Sequence, residues 1–339
     1  MDTDFDTTQA RYEEFLKRAP ELLATTLKNT TDTDRTQLAG ILAHKKRLFF
    51  TGTGSSMPAA WYGAYVMTQA GYPAQFLPTG AILGLHSLSK DDIVILSSQG
   101  INRADALLVI DTVANSPADL VVLTANRGID LKGKAAAVYY FDPAEEKLFC
   151  RPAGVATNYA LMAKLLASSE QALTDQTLVD AWREGATRPL ELPADCSRYI
   201  VLSSDAMMPV AWNVALALRE GSGLLTQLFD IETYGHGNYV SDLYNRQPGN
   251  TFGYIFVGAA KTTETARSIR RFEPFAKSSN IPYTIIAPGY EDAARAGLSI
   301  LASVSAKVFA LNTASGYNMN RPPGKEENRY YHELESYDN

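Results

Sequence analysis

The sequence predicts an α/β fold of two similar halves, each a parallel sheet with helices on both faces. Three observations predict it. Short apolar runs alternate with longer helical segments along most of the chain, the pattern of strand–helix–strand units. The segment RLFFTGTGSSMPAAWYGAYV from Arg47 recurs as RYIVLSSDAMMPVAWNVALA from Arg198, at a constant offset of 151 residues that pairs Met57 with Met208, Pro58 with Pro209, Ala60 with Ala211 and Trp61 with Trp212. A repeat of that length is too long for a solenoid unit and marks two copies of one domain. In each copy a small polar cluster and a proline follow the first strand, which suits the first turn of a helix.

An amphipathic helix is expected over residues 8–27, within an N-terminal helical segment 1–36. The first domain, residues 37–186, opens on a strand at 48–51. Further strands are expected at 75–77, 93–96, 120–124 and 137–141, with a helix over 104–114. The runs are short and apolar, as strands buried on both faces are. The second domain, residues 187–339 with a C-terminal tail, follows a linker at 187–196 that carries two prolines. Its strands are expected at 199–202, 225–229, 252–257, 283–287 and 308–311, with a helix over 263–272. That makes five strands per sheet. In such sheets ligands sit beyond the carboxyl ends of the strands, where the strand order reverses. The residues after Phe50, Leu96, Leu202 and Val257 therefore come first in a search for chemistry.

The chain has 339 residues, enough for two domains. With 37 acidic and 31 basic side chains its net charge is −6, which argues against nucleic acid as a partner, since phosphate backbones need a basic face. Cys150 and Cys196 make neither a metal spacing nor a disulfide framework and read as buried small hydrophobes. The acidic, polar start is unlike a secretory signal. No run approaches the roughly 18–20 apolar residues of a membrane span. A soluble, cytoplasmic protein is expected, with no membrane or nucleic-acid partner and no cofactor.

Two loops suit an anion. Thr51-Gly52-Thr53-Gly54-Ser55-Ser56 follows the first strand and opens a helix. Glycine lets the backbone approach a ligand, the helix start offers unpaired N–H groups, and serines add hydroxyls. The loop lacks the Gly-Lys-Ser/Thr ending of a P-loop and the third glycine of a dinucleotide fingerprint. Ser97-Ser98-Gln99-Gly100-Ile101-Asn102-Arg103 follows the third strand of the first copy and again precedes a helix. Each loop alone reads equally as a tight turn with a helix cap; at neighbouring strand ends they reinforce each other.

These residues resemble the sugar isomerase (SIS) domain family: the strand–Gly-x-Gly-Ser-Ser–helix unit, the Ser-rich loop after strand three, Val155-Ala156-Thr157, Ala-Leu-Arg-Glu ending at Glu220, and Gly235-His236-Gly237. The tail Asn320-Arg321-Pro322-Pro323-Gly324 with Asn328-Arg329 resembles the ketose/aldose isomerase branch. The resemblance implies two tandem SIS domains, each a doubly wound, flavodoxin-like parallel sheet. It implies that Gly54, Ser55, Ser56, Ser97, Ser98, Gln99, Asn102, Val155, Thr157 and Arg329 bind an anionic sugar. It implies that Glu220 moves a proton between C1 and C2 and that His236 assists ring opening, acting across a homodimer interface. Departures stand out. The family's phosphate loop is Ser-x-Ser-Gly-x-Thr/Ser; here Gln99 replaces the second serine, Asn102 stands near the hydroxyl position, and one residue is inserted. Ala217 replaces a family lysine, and Tyr331 or His332 lies near the place of another. No amidotransferase domain or N-terminal cysteine precedes the repeat, so aminotransfer is not expected.

Glu220 ends a predicted helix just before Gly221, where the helix dipole disfavours a negative charge and keeps the carboxylate basic. His236, between glycines, is the side chain that titrates near neutrality. Glu232, four residues earlier, either orients it or forms a surface ion pair. His44 is expected in solvent, and His86 at a structural or surface position. No His, Cys, Asp or Glu stands at metal-ligand spacing, so metal-independent proton transfer is expected. Release of an amine from an amino-sugar phosphate or a fructosamine phosphate uses the same proton transfer. A non-catalytic sugar-phosphate sensor is a third reading.

Overall fold

The computed structural model describes residues 4–320 apart from 86, 145, 147, 149, 168–172 and 248. His86 and everything from Arg321 on, including Arg329, Tyr331 and His332, lie outside the described residues.

In chain order the elements are α1 Phe5–Asn29, α2 Asp32–Leu42, β1 Arg47–Gly52, α3 Met57–Gln69, β2 Ala74–Phe76, α4 Thr79–Leu83, β3 Asp92–Ser97, α5 Ala104–Ala114, β4 Asp119–Thr124, β5 Ala137–Tyr140, α6 Pro152–Leu166 and α7 Asp175–Ala186. Then follow β6 Arg198–Ser203, α8 Met208–Ser222, β7 Thr226–Asp230, α9 Ile231–Thr233, α10 Tyr239–Tyr244, β8 Phe252–Val257, α11 Glu264–Ser278, β9 Tyr283–Ile286 and α12 Ala293–Ser315. The chain divides into two compact units. The first comprises Glu21–Glu146 and Ala153–Gln176; the second takes the chain up to Pro20, a short piece ending at Pro152, and the described chain from Thr177. These limits differ from the boundaries expected at 37 and 187, because α1 and the connection into α6 contribute to both units.

The first unit holds a sheet of order β2-β1-β3-β4-β5, every pair parallel. Its central strands are buried along their length, which is why they read as continuous apolar runs. Phe49, Val94, Leu96 and Val122 on one face pack with Ile110 and Val113 of α5. The start of the sheet is fixed by Asp92, fully buried, whose carboxylate accepts from Arg47 at 2.7 and 2.6 Å and from the Ser89 amide at 2.6 Å. The fork from Arg47 holds that carboxyl below its ordinary pKa.

The second unit holds a parallel sheet of order β7-β6-β8-β9. Four strands are present among the described residues, not five. The apolar stretch 308–311 lies inside α12; a short apolar run carries no periodicity to tell a strand from a buried helix. α12 is also long and apolar enough by composition to cross a membrane, contrary to the expectation that no run qualifies, and most of it is buried within the unit.

The two sheets share their opening geometry. β1 and β6, and the helices α3 and α8 after them, begin 151 positions apart. Between strand and helix each has one left-handed residue, Gly54 at φ 52° and Asp205 at φ 51°. The first is free for glycine; the second is strained for an aspartate.

Candidate active site

In the first sheet β1 and β3 are neighbours, with Gly52 opposite Ser97. The strand order reverses here, so the loops that leave the two strands diverge and open a crevice. Gly52 must be glycine: a Cβ there would stand 2.9 Å from the Ser97 carbonyl oxygen and 3.2 Å from that of Ser56. Ser56 is 5% exposed and N-caps α3 without a side-chain capping bond. Ser55 is half-buried.

In the second loop the left-handed residue is Ile101, at φ 44°. That is the place of a glycine in a motif of this shape. Counted from it, Ser98 falls at the first serine of Ser-x-Ser-Gly-x-Thr/Ser, Gly100 at the second and Arg103 at the terminal hydroxyl. No insertion is then needed, and Gln99 occupies the variable position. Ser98 is half-buried and its amide donates to Leu123 O at 3.0 Å. The Gln99 carbonyl accepts from the Ala125 amide at 3.0 Å and the Thr124 hydroxyl at 3.1 Å, while its side-chain Oε1 is buried without a partner. Gly154 makes room for that amide; a Cβ there would overlap it. Asn102 is exposed, with its side chain folded back over Gly100.

Three predicted binding residues are otherwise engaged. Ser97 is fully buried and its hydroxyl donates to Asn158 Oδ1 at 2.8 Å, tying β3 to α6. Thr157 is fully buried and its hydroxyl donates back to Ala153 O at 2.7 Å, the ordinary habit of a helical threonine. Val155 is 8% exposed and packs in the core. The N-terminus of α6 is also closed: the buried Glu146 carboxylate accepts from the Ala153 amide at 3.0 Å and the Gly154 amide at 2.7 Å. The chain supplies its own anion there, leaving no room for a ligand's.

In the second unit, α8 runs back from the carboxyl edge of its sheet and ends beside the start of β7. Glu220 lies in that last turn, before Gly223 closes the helix at φ 68°. Burial pushes its carboxyl up to about 7, and the nearby Arg219 charge offsets only part of this. Desolvation, not the helix dipole, is the main cause. The Tyr317 hydroxyl approaches the Glu220 carbonyl at 3.5 Å, and burial followed by the Glu220 charge raises that phenol. Cys150 comes within reach of Gly221. It is half-buried, as Cys196 is, so neither is the fully buried hydrophobe expected.

His236 sits at the opposite edge. It follows the end of β7 in the turn Tyr234–Asn238, kinked at Gly237 with φ 146°, and is exposed. The turn is pinned by fully buried Tyr234, which donates to Asp242 Oδ2 at 2.6 Å; Asp242 in turn pairs with Arg198 at 2.7 Å. Glu232 does not orient His236. It is held by Arg271 at 3.1 Å and Ser268 at 3.2 Å. His44 is exposed, as expected.

Among the described residues no three His, Cys, Asp or Glu side chains form a metal-holding group. A cavity of about 570 Å³ lies between α2 and the ends of α3 and α6, lined by Arg35, Leu38, Leu42, Met67 and Tyr72, and includes none of the predicted site residues.

Residues 41–169 match the SIS domain. That match spans the first sheet with both loops; no second match covers the other sheet. Among curated proteins none matches. Solved structures share the fold along nearly the whole chain. Tagatose-6-phosphate ketose/aldose isomerase from Escherichia coli aligns with a TM-score of 0.73 at 12% identity, covering 95% of this chain and 98% of that one. The C-terminal domain of glucosamine-fructose-6-phosphate aminotransferase from Francisella tularensis gives 0.72 at 12%, covering 92% and 98%. Glucosamine-6-phosphate deaminase from Thermotoga maritima gives 0.68 at 15%, covering 92% and 97%.

Within the SIS-domain match, Gly54, Ser55, Ser56, Ser98, Gln99 and Asn102 stand at the two adjoining strand ends, whereas Ser97, Val155 and Thr157 are interior. Sequence reasoning missed two residues. Glu146 gives no signal, because a carboxylate six residues before a helix is unremarkable until the chain folds back. Arg103 shows in the sequence only as the end of a polar loop.

Proposed function

We propose that the chain is a sugar-phosphate aldose–ketose isomerase, built on two tandem SIS domains, working by proton transfer between C1 and C2 of a ring-opened substrate. The observation that carries this reading is the carboxyl of Glu220, raised by burial to about 7, where a group is half ionised at neutral pH and suited to take and return a proton. Glu220 removes the C2 proton of the open-chain aldose and the electron pair moves through C1 onto the carbonyl oxygen to give an enediolate; the C2 hydroxyl proton passes to that oxygen, and the Glu220 carboxyl, which exchanges its proton with solvent, protonates C1 and leaves the carbonyl at C2. Ser56 and Ser98 hold the anionic end. The kinship in fold with an isomerase and a deaminase of phosphorylated sugars supports the substrate class.

The test is incubation of the protein in D₂O with hexose and amino-hexose phosphates, watching C1 and C2 by NMR. Deuterium should enter one of these positions in at least one substrate. No exchange with any of them overturns the reading. Release of ammonia alongside exchange moves the assignment to the deaminase, and binding without exchange moves it to a sensor. Ser56→Ala and Ser98→Ala should each weaken sugar-phosphate binding by roughly 10- to 100-fold, the worth of one hydrogen bond to a charged group; calorimetry that finds both unchanged removes these loops from the site.

His236 and Glu220 occupy opposite edges of one sheet, separated by the length of β7, roughly 16 Å for five residues. One chain's histidine therefore does not serve its own Glu220, and we assign it to a partner's site in a homodimer. Val240 and Tyr244, 55% and 88% exposed on the helix after His236, supply an apolar face for that contact. Light scattering should give twice the chain mass; a monomer at micromolar concentration defeats the assignment.

A further inference from the structure

We propose that Tyr317 is a second catalytic residue, the group that carries the proton between the C1 and C2 oxygens while Glu220 serves the carbons; the inference rests on the isomerase reading above and deepens it. An aldose becomes a ketose only if two protons move. One leaves C2 and one reaches C1, and the C2 hydroxyl proton must end on the C1 oxygen. A direct hop between the oxygens closes a five-membered ring, and so bent a hydrogen bond is weak. A group that both gives and takes a proton straightens the path.

The fold brings one such group to Glu220. Two left-handed glycines set it there: Gly223 closes α8 at φ 68° and Gly316 closes α12 at φ 71°. α12 lies against the end of α8, since a Cβ on Gly221 would stand 2.7 Å from Val308 Cγ1. The turn at Gly316 sends Tyr317 back over that end. Its ring seats on Gly223, where a Cβ would stand 3.0 Å from Tyr317 Cε2. Its hydroxyl stands 3.5 Å from the Glu220 carbonyl oxygen, at the long limit of a hydrogen bond. The ring, not a strong bond of the hydroxyl, therefore holds the phenol beside the base, and the hydroxyl can turn to a substrate. Tyr317 is half-buried, as Glu220 is. Burial, and then the Glu220 and Cys150 charges, raise the phenol, so it stays protonated at neutral pH.

No other described group beside Glu220 suits the oxygens. Arg219 turns its guanidinium to the Thr226 carbonyl at 2.9 Å and cannot give up a proton. The Ser222 hydroxyl is fully buried. Cys150 comes within reach of Gly221, but a thiol is a weak donor. The step balances with Tyr317 in the role. As Glu220 takes the C2 proton, the C1 oxygen receives the electron pair and takes the phenol proton, which gives the enediol. The tyrosinate then takes the C2 hydroxyl proton as that oxygen forms its carbonyl, and the Glu220 carboxyl protonates C1. Base and phenol end in the states in which they began.

Steady-state kinetics and D₂O exchange on the full chain test this, with fructose 6-phosphate, tagatose 6-phosphate and glucosamine 6-phosphate as probes. Tyr317→Phe keeps the ring on Gly223 and loses only the hydroxyl. On a probe that wild type converts, its turnover should fall roughly 10²–10⁴-fold, with KM within a few-fold and the melting temperature unchanged. The pH profile separates a catalytic hydroxyl from one that only shapes the site. Wild-type kcat/KM should hold its plateau and then fall where the phenol ionises, above about 10. Tyr317→Phe should keep the rise through pH 7 and lose that fall. A ring-fluorinated tyrosine at position 317, with a more acidic phenol, should stay active at neutral pH and bring the fall to lower pH. Turnover of Tyr317→Phe close to wild type, or a fall that fluorination does not move, overturns the role of Tyr317. So does a Tyr317→Phe profile in which only the rise near pH 7 has shifted, since the hydroxyl then tunes Glu220 alone. If Tyr317→Phe melts lower, the fluorinated protein, which keeps the hydroxyl, decides. Wild type that exchanges none of the probes overturns the isomerase reading, and this inference with it.

Discussion

Replacing Glu220 with Gln should abolish isomerisation, by roughly 10²–10⁴-fold in turnover, while sugar-phosphate affinity stays within a few-fold. The amide keeps the shape and loses only the ability to accept the C2 proton. The pH dependence carries the same signature. The base acts ionised, and burial holds the carboxyl at about 7, so kcat/KM should rise through pH 7 and level off above it. Stability should run the other way. The carboxyl ionises near 4.5 in the unfolded chain and near 7 in the folded one, so folding is undisturbed below pH 4.5 and loses stability as pH climbs from there to about 7. The neutral amide of the variant has no such charge to desolvate, so Glu220→Gln should be the more stable protein at pH 8, by on the order of 2 kcal/mol. An active variant, or one whose melting temperature keeps the wild-type pH slope, ends the assignment of Glu220.

Gly185→Ala should cost the second unit more stability than any conservative surface change. Gly185 is buried on α7 against the backbone of α12. A methyl carbon there would overlap the carbonyl oxygen of Ser299 and stand 2.6 Å from its carbonyl carbon and 2.8 Å from its Cα. Backbone cannot swing aside as a side chain does, so the helices would have to part. Nearby, the Leu190 amide donates to Ser303 O at 3.2 Å and the Ser303 hydroxyl to Arg188 O at 2.6 Å, so parting strains these bonds too. Overpacking of this kind costs about 3 kcal/mol or more, against about 1 kcal/mol gained from alanine's helix propensity. The expected fall in melting temperature is about 4–8 °C. A melting temperature equal to wild type would mean that the helices are not in backbone contact.

The strands and the two loops were legible because their signals are local. Central parallel strands show as apolar runs, and the strand-end turns carry their own glycines and serines; β1, β3 and β4 fall within a residue or two of where the sequence puts them. The 308–311 stretch was not legible, because an apolar run buried all round looks the same in strand and helix. Within the loops, composition fixed which segments matter but not which hydroxyls are free. Ser97 and Ser98 are adjacent serines, and only the pleat decides that Ser97 turns inward to Asn158. Ser97 and Thr157 look like ligands as letters; folded, their hydroxyls already have acceptors.

The strand of β7 between Glu220 and His236 also bears on gene dosage. In the homodimer proposed above, a polypeptide that borrows its histidine works only when paired, so output at low abundance should fall with the square of expression rather than in proportion to it. A silent copy expressed beside the active one would poison the mixture, since each mispaired couple forfeits part of its equipment.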